Sequence, residues 1–366
     1  MELVFWQNIL SPHQAPFIRA LADQGHQITV VTDESMSADR VALGWKVPDH
    51  GRAKITIAPK DSAVQRLIEN SPKDAIHVIA GARWKPLGNL VERQCLAAHR
   101  RVGIITEAPD PRGFAGYGRW VKYTKERFTT GSRFDFILAM GEMGTRWFRR
   151  CGYPAQKLFP FAYVTEPVPL VEAKNAGEKS GFLYVGQFIV RKGLDILLQA
   201  FAASSSSQIE LRMLGEGPEQ PKLQRMAHEL GIENRVIWLA KSDAAGVQGE
   251  MAKANVSILP SRHDGWGAVV NESLMVGTPV ICSTACGAAE LISQPWLGTV
   301  FRSDNADNLA KALKTWIDLG PRSQDERERI RGWSNCISGP AVASYMASTF
   351  DHVYGNSARP MAPWRK

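Results

Sequence analysis

The chain has 366 residues, 44% of them hydrophobic and 22% charged, with a formal net charge of +8 and five cysteines. Such a length carries two domains of ordinary size, and this balance of apolar and charged residues excludes a disordered or fibrous chain. No apolar run reaches the roughly 18–20 residues that span a bilayer, and an odd cysteine count with no C-x-x-C pair argues against a disulfide framework or a zinc site.

The opening segment, MELVFWQNILSP, has no basic leader before its apolar run and reads directly as a strand, so a cytoplasmic address is expected. Short apolar runs at residues 3–6, 28–31, 55–58, 76–79, 102–105 and 136–139 alternate with helical stretches. The same alternation continues with strands near Phe182, Leu211, Val236, Val256, Pro279 and Val300. It predicts an α/β fold of parallel sheets covered by helices on both faces, in two doubly wound domains. The domains are expected at 1–165 and 166–340, with a crossover helix and tail at 341–366. The seam falls near residues 163–179, which are rich in Pro, Glu, Lys and Gly. Beyond Asp318 the pattern predicts helix to about Tyr354. Ligands of such sheets lie at the carboxyl ends of the strands, so a cleft between the domains is the expected site.

In the first half, the first strand runs into residues 8–14 and a helix over 15–22. His13, at the start of that helix, is a candidate contact for an acceptor or a phosphate, with capping or simple exposure as the alternatives. Glu107 follows a strand in TEAPDPRG and is a candidate for orienting an acceptor. Arg112 lies in the turn just after it, also on the acceptor side. Residues 1–165 hold 23 Lys and Arg against 15 Asp and Glu, whereas residues 166–366 hold 21 of each, so the whole positive excess lies in the first half. Residues 112–128 interleave Arg119, Lys122, Lys125 and Arg127 with Phe114, Tyr117, Trp120 and Tyr123. That mixture suits an anionic membrane surface or a diphosphate-bearing lipid. It equally suits a solvated helix packing its aromatic face on a core. Nucleic acid is set aside, because no helix-turn-helix, RRM or zinc-finger pattern accompanies the charge.

The second half carries the chemistry. In SGFLYVGQFIVRKGLDILLQAFAA, an apolar run ends at Gly186 and a helical pattern begins after Gly193, so Arg191 and Lys192 occupy a strand-to-helix loop. Two cations so placed can clamp a diphosphate and stabilise it as it departs. LRMLGEGP ends a strand at Gly215, Glu216 and Gly217, a turn against which a nucleotide can lie. RVIWLAK is a strand end whose main chain can read a base edge, with Trp238 read as core. In SILPSRHDGWGAVVNESLMVGTPVI, a strand breaks at Pro260 and a helical pattern opens at Gly267. Asp264 and Glu272 stand on either side of that break. Gly265 and Gly267 flank Trp266, leaving main-chain N–H groups accessible at a positive helix end. An acid in the loop, bare amides and a second acid one to two turns later suit a sugar hydroxyl, a phosphate and a ribose in sequence.

Taken together, Gly186, Arg191, Lys192 and Gly193, then Gly215 to Pro218, then Asp264 to Glu272, resemble the donor-binding domain of retaining glycosyltransferases of family 4, which have the GT-B fold. The resemblance covers residues 180–292 and, in length and layout, the whole chain. It departs at two positions: Asp264 stands where the family usually has Glu, and Gln187 where it often has Arg. The resemblance implies two Rossmann-like domains facing across a cleft and a last helix, here residues 342–354, returning to the first domain. It implies that Arg191 and Lys192 bind the donor diphosphate, that Asp264 meets the transferred sugar, and that Glu272 holds the ribose. Amides from Gly265 through Trp266, Gly267 and Ala268 to Val269 would meet phosphates and sugar. Donor binding would also involve Gly186, Gly215 and Gly217. The partners implied are a nucleotide-sugar donor, UDP-linked first, and a saccharide or lipid-linked acceptor in polysaccharide or glycolipid synthesis, reached from the cytoplasm or the inner face of a membrane. The nucleotide sugar is a substrate, so no cofactor is expected. With no D-x-D triplet in the chain, no metal is expected to bridge the diphosphate. Two alternatives keep the same binding set: an epimerase acting on the nucleotide sugar, or a non-catalytic binding subunit. An oxidoreductase is excluded for want of G-x-G-x-x-G after a strand.

Overall fold

Both halves of the chain fold as a wholly parallel sheet wound in the same order. The computed structural model describes residues 1–42, 44–81, 86–129, 131–166, 181–204 and 209–366. Most of the expected seam, residues 167–179, lies outside the described residues, as does Ser180. The described residues form two compact units, one of Met1–Glu166 with Cys336–Lys366 and the other within Pro167–Asn335.

The first unit contains β1 (Glu2–Gln7), α1 (Ala15–Asp23), β2 (Gln27–Thr32), α2 (Ala38–Ala42), β3 (Lys54–Ile57), α3 (Asp61–Asn70), β4 (Ile76–Ala80) and α4 (Pro86–Ala97). It continues with β5 (Arg101–Thr106), α5 (Gly113–Arg127), β6 (Phe136–Met140), α6 (Gly141–Arg150) and β7 (Leu158–Phe161). The strand order is β3-β2-β1-β4-β5-β6-β7. Six of these strands coincide with the apolar runs; β7 does not, because Pro160 interrupts the run LFPF. Proline lacks the N–H a central strand must donate, and β7 accommodates it by lying at the sheet edge, paired to β6 alone. The core is built from strand residues that face the helices, among them Val4, Trp6, Ile79, Ile104, Ile137 and Ala139. One polar pair is sealed within it: the Trp6 indole donates to His77 Nδ1 at 3.1 Å, and burial lowers the His77 pKa to about 4.

The second unit contains β8 (Phe182–Val185), α7 (Leu194–Ala203), β9 (Leu211–Leu214), α8 (Gln220–Glu229), β10 (Val236–Leu239), α9 (Ala244–Lys253) and β11 (Val256–Leu259). It is completed by α10 (Val269–Met275), β12 (Val280–Ser283), β13 (Gly298–Phe301), α11 (Ala306–Leu319) and α12 (Gln324–Ser334). The order β10-β9-β8-β11-β12-β13 repeats that of the first six strands of the other sheet. Trp238 packs its ring against Phe188 at the edge of this core, as read from the sequence. Cys95, Cys151, Cys282 and Cys286 are buried, and all five cysteines are free thiols.

Beyond Asp318 the chain is helical to Tyr354, in two α-helices joined by a short 3₁₀ turn. α11 stops where Gly320 takes φ 68°, just ahead of Pro321. Ser323 then opens α12 through a capping box with Glu326. Ser338 caps α13 (Gly339–Tyr354), which packs along α1 in the first unit. Its buried face places Phe350 5.2 Å from Phe136 and Tyr345 6.5 Å from Phe161.

Candidate functional site

In a doubly wound sheet the loops diverge where the winding reverses, and a crevice opens at the carboxyl ends of the two strands concerned. In the second unit those strands are the neighbours β8 and β11. The loop after β8 makes a single 3₁₀ turn, Val190–Lys192, closed by Gly193 in the left-handed region at φ 66°. A Cβ on Gly193 would lie 2.5 Å from the carbonyl oxygen of Pro260, so only glycine lets this turn rest on the loop that follows β11. Gly215, at φ 145°, is constrained in the same way: its Cβ would lie 2.0 Å from the Gly186 carbonyl oxygen. Phe188 N–H donates to the Glu216 carbonyl at 2.8 Å, which ties the loop after β9 to the loop after β8. The glycines thus bring three loops together and leave Arg191 and Lys192 at the crevice.

Lys192 Nζ lies 2.5 Å from Asp264 Oδ2, a pair with only 15% and 14% side-chain exposure. The Arg191 guanidinium lies 3.9 Å from the same oxygen, donates to the His263 carbonyl at 2.9 Å, and keeps 43% exposure. Two cations therefore face one carboxylate, leaving a positive excess. Asp264 is held from behind: its N–H donates to Ala285 O at 2.9 Å, and its own carbonyl accepts from Gly287 N–H at 3.1 Å.

Arg262, not singled out from the sequence, fastens the two loops. It grips Asp195 with two hydrogen bonds of 2.8 Å, reaches Asp304 at 2.8 Å, and donates to the Val190 carbonyl at 2.9 Å. Its own N–H donates to Arg191 O at 2.9 Å. Burial works against the Asp195 carboxylate, but the hydrogen bonds and charge of Arg262 outweigh it and hold the group below its ordinary value. Asp195 and Arg262 are 67 residues apart, so no local spacing signals the pair.

The Trp266 side chain is only 2% exposed, and its indole N–H donates to Asn271 Oδ1 at 2.8 Å. It is a strut that holds the loop against α10, and only its main chain can meet a ligand. Helix α10 itself begins at Val269 rather than at Gly267, with Ala268 as its N-cap. Among the described residues, no amide from 265 to 269 donates a loop or capping hydrogen bond. Such a row of amides at a helix start is a ready anion site. Glu272 lies in the first turn of α10. Its partly buried carboxyl has no hydrogen-bond or ion-pair partner among the described residues, and burial raises its pKa to about 7. A partly buried, unpartnered carboxyl is costly to keep unless a ligand meets it.

In the first unit, exposed Glu107 accepts a hydrogen bond from Tyr163, whose pKa is driven well above its ordinary value by burial and then by Glu107. Tyr163 follows β7, the strand that Pro160 hid from the sequence reading. The His13 ring meets Trp45 edge-on at 5.0 Å and Tyr163 at 5.7 Å. Burial, aided by Arg40, lowers its pKa to about 4, so it is neutral at pH 7. Its Nδ1 is buried without a partner among the described residues, and Gln14 rather than His13 holds the N-cap position of α1. Arg112 is held by Asp110 through bonds of 2.9 and 2.6 Å.

Residues 171–333 match the family model of the glycosyl transferases group 1. An uncharacterized glycosyltransferase of Methanocaldococcus jannaschii is 23% identical over 172 residues, covering 45% of this chain and 48% of the relative, so the chain matches about half of that protein's length. A GDP-mannose-dependent α-(1-6)-phosphatidylinositol monomannoside mannosyltransferase of Mycobacterium tuberculosis is 24% identical over 321 residues, or 81% of each chain. Among solved structures, HepE of Anabaena in complex with UDP superposes with a TM-score of 0.71 at 16% identity, over 96% of this chain and 100% of that one. That likeness shows the fold: two Rossmann-like units of the GT-B type.

Proposed function

We propose that this chain is a group 1 glycosyltransferase that takes a hexosyl group from a nucleoside diphosphate sugar, UDP-linked in the first instance, and passes it to a saccharide or lipid-linked acceptor with retention of anomeric configuration. The observation that carries the reading is the convergence at the β8–β11 switch point of Arg191, Lys192, Asp264, a row of unengaged amides and the unpartnered Glu272. The second unit, near residues 166–340, takes the donor. The first, near residues 1–165, takes the acceptor, with Glu107 orienting it and His13 and Arg112 beside it. Relatives supply context: one was solved with UDP, and another is described as using GDP-mannose.

In this reading Glu272 accepts hydrogen bonds from the ribose hydroxyls. The amides of residues 265 to 269 meet the diphosphate and sugar, and Asp264 contacts hydroxyls of the transferred hexose. The bond between the anomeric carbon and the diphosphate oxygen breaks as the acceptor oxygen bonds to the same face. The acceptor's proton passes to the departing phosphate, so no protein nucleophile is required. Arg191 and Lys192 neutralise the charge growing on the leaving group, the task a metal ion would otherwise perform. Preorganised cations of this kind act most strongly where charge develops in the transition state. The work is done at the cytoplasmic face of a membrane when the acceptor is lipid-linked.

Incubation with UDP-glucose and related donors, with and without candidate acceptors, tests the proposal. Acceptor-dependent release of UDP with an α-linked product from an α-linked donor is expected. An isomerised nucleotide sugar formed from donor alone would replace the transferase with an epimerase, and failure of any nucleoside diphosphate to bind would overturn the site.

A further inference from the structure

α5 carries two faces of different use. Tyr123, 2% exposed, belongs to the core of the first unit, and the partly buried Trp120 packs against that core. Phe114, Tyr117, Val121 and Phe128 do not: their exposures are 98%, 64%, 43% and 71%. Spaced at i, i+3, i+7 and i+14, they fall on one stripe of the helix. Four large apolar side chains side by side in water are not the scattered single residues of an ordinary surface.

The charges around the stripe say what covers it. Exposed Lys125 lies on the same face by helical spacing, next to Val121 and Phe128. The Arg127 guanidinium sits 4.6 Å over the Phe128 ring. The Tyr117 ring is 5.6 Å from Trp120, whose indole N–H donates to the Arg150 carbonyl, so the end of α6 with exposed Arg149 and Arg150 adjoins the stripe. The first half of the chain also holds the entire positive excess of the protein. Aromatic side chains flanked by lysine and arginine match the boundary of a bilayer whose lipids are anionic. A protein partner would need its own acidic groove, whereas a lipid surface supplies negative charge and an apolar layer together.

We propose that the exposed stripe of α5, with Lys125, Arg127, Arg149 and Arg150 around it, docks the protein on an anionic lipid bilayer. α5 starts at Gly113, shortly after Glu107 at the carboxyl end of β5, so the stripe begins near that end of the sheet and runs back along the helix. A lipid-borne acceptor then meets the first unit by diffusion in two dimensions. This goes beyond the transfer reaction, and its test does not depend on that reaction.

Co-sedimentation of the full chain with vesicles of phosphatidylcholine, alone or with phosphatidylglycerol, reads the proposal directly. Binding is expected to the anionic vesicles and not to the neutral ones, weakening as salt is raised. Replacing Phe114, Tyr117 and Phe128 together by Ser is expected to lower vesicle affinity by about tenfold or more. Lys125→Glu alone is expected to lower it severalfold. Both variants should keep the wild-type melting temperature and UDP affinity, which separates loss of docking from misfolding. Equal binding to neutral and anionic vesicles, no binding to either, or a triple variant that binds like wild type overturns the proposal. So does a concentration-dependent dimer that the triple variant abolishes, since a second copy would then be what covers the stripe.

Discussion

Replacing Glu272 with Gln should make the free protein harder to unfold at pH 8 while weakening its hold on nucleotide. The reasoning starts from burial. A carboxyl whose pKa stands at about 7 instead of the ordinary 4.5 keeps its proton in the folded state after the unfolded chain has released it. Between those values the folded state binds more protons, so stability falls as pH rises. The full gap corresponds to about 3 kcal/mol. Solvent contact at this partly buried side chain screens the cost, leaving about 1–2 kcal/mol. Gln cannot ionise, so the variant should match wild type near pH 4.5 and exceed it above pH 7, by roughly 2–6 °C in melting temperature. In nucleotide titration the sign reverses. The carboxylate is the better acceptor for ribose hydroxyls, so wild-type affinity for UDP should rise with pH up to about 7. Glu272→Gln should bind about tenfold or more weakly and lose that part of the pH dependence. Scanning fluorimetry at half-unit steps from pH 4.5 to 8.5, with and without UDP, reads both effects. A melting difference that stays flat across that range would refute the assignment of a strained, ligand-seeking carboxyl.

The other substitutions probe how the loops are held. Lys192→Ala should lower turnover by about two orders of magnitude in a steady-state transferase assay; near-normal turnover removes Lys192 from the chemistry. Arg262→Lys cannot reproduce the two-pronged grip on Asp195, and it should raise KM for the donor more than it lowers kcat, because it lets the 3₁₀ turn carrying Arg191 drift. Unchanged kinetics with a lowered melting temperature would make Arg262 purely a stabilising residue. Gly215→Ala meets the Gly186 carbonyl at 2.0 Å in a backbone region closed to most side chains. It should cost about 1–3 kcal/mol and weaken UDP binding, both readable by thermal shift.

Several features were legible before the fold was known, because they are local. Strand and helix periods record which face of each element meets a core, and twelve of the thirteen strands among the described residues follow from them. The glycines at 193 and 215 announced sharp turns, and the structure adds the reason, a carbonyl oxygen lying where a Cβ would stand. Where a local signal failed, a local competitor explains it. Pro160 hid β7, since an edge strand tolerates what a central strand cannot. Packing alone reveals that the Trp266 ring is enclosed and its indole satisfied by Asn271, which leaves its main chain to border the crevice.

Sequence alone determined the kind of chain this is: alternating elements, a basic first half, and three glycine-marked loops bearing cations, an acid and a bare helix start. Tertiary structure decided which of these groups meet. Lys192 and Asp264 are 72 residues apart and become partners only because β8 and β11 lie side by side where the winding reverses. Arg262 finds Asp195 for the same reason. Strand order is set by how whole helices cross over a sheet and bury their faces, a property of the assembled layers to which no single stretch of residues holds the key.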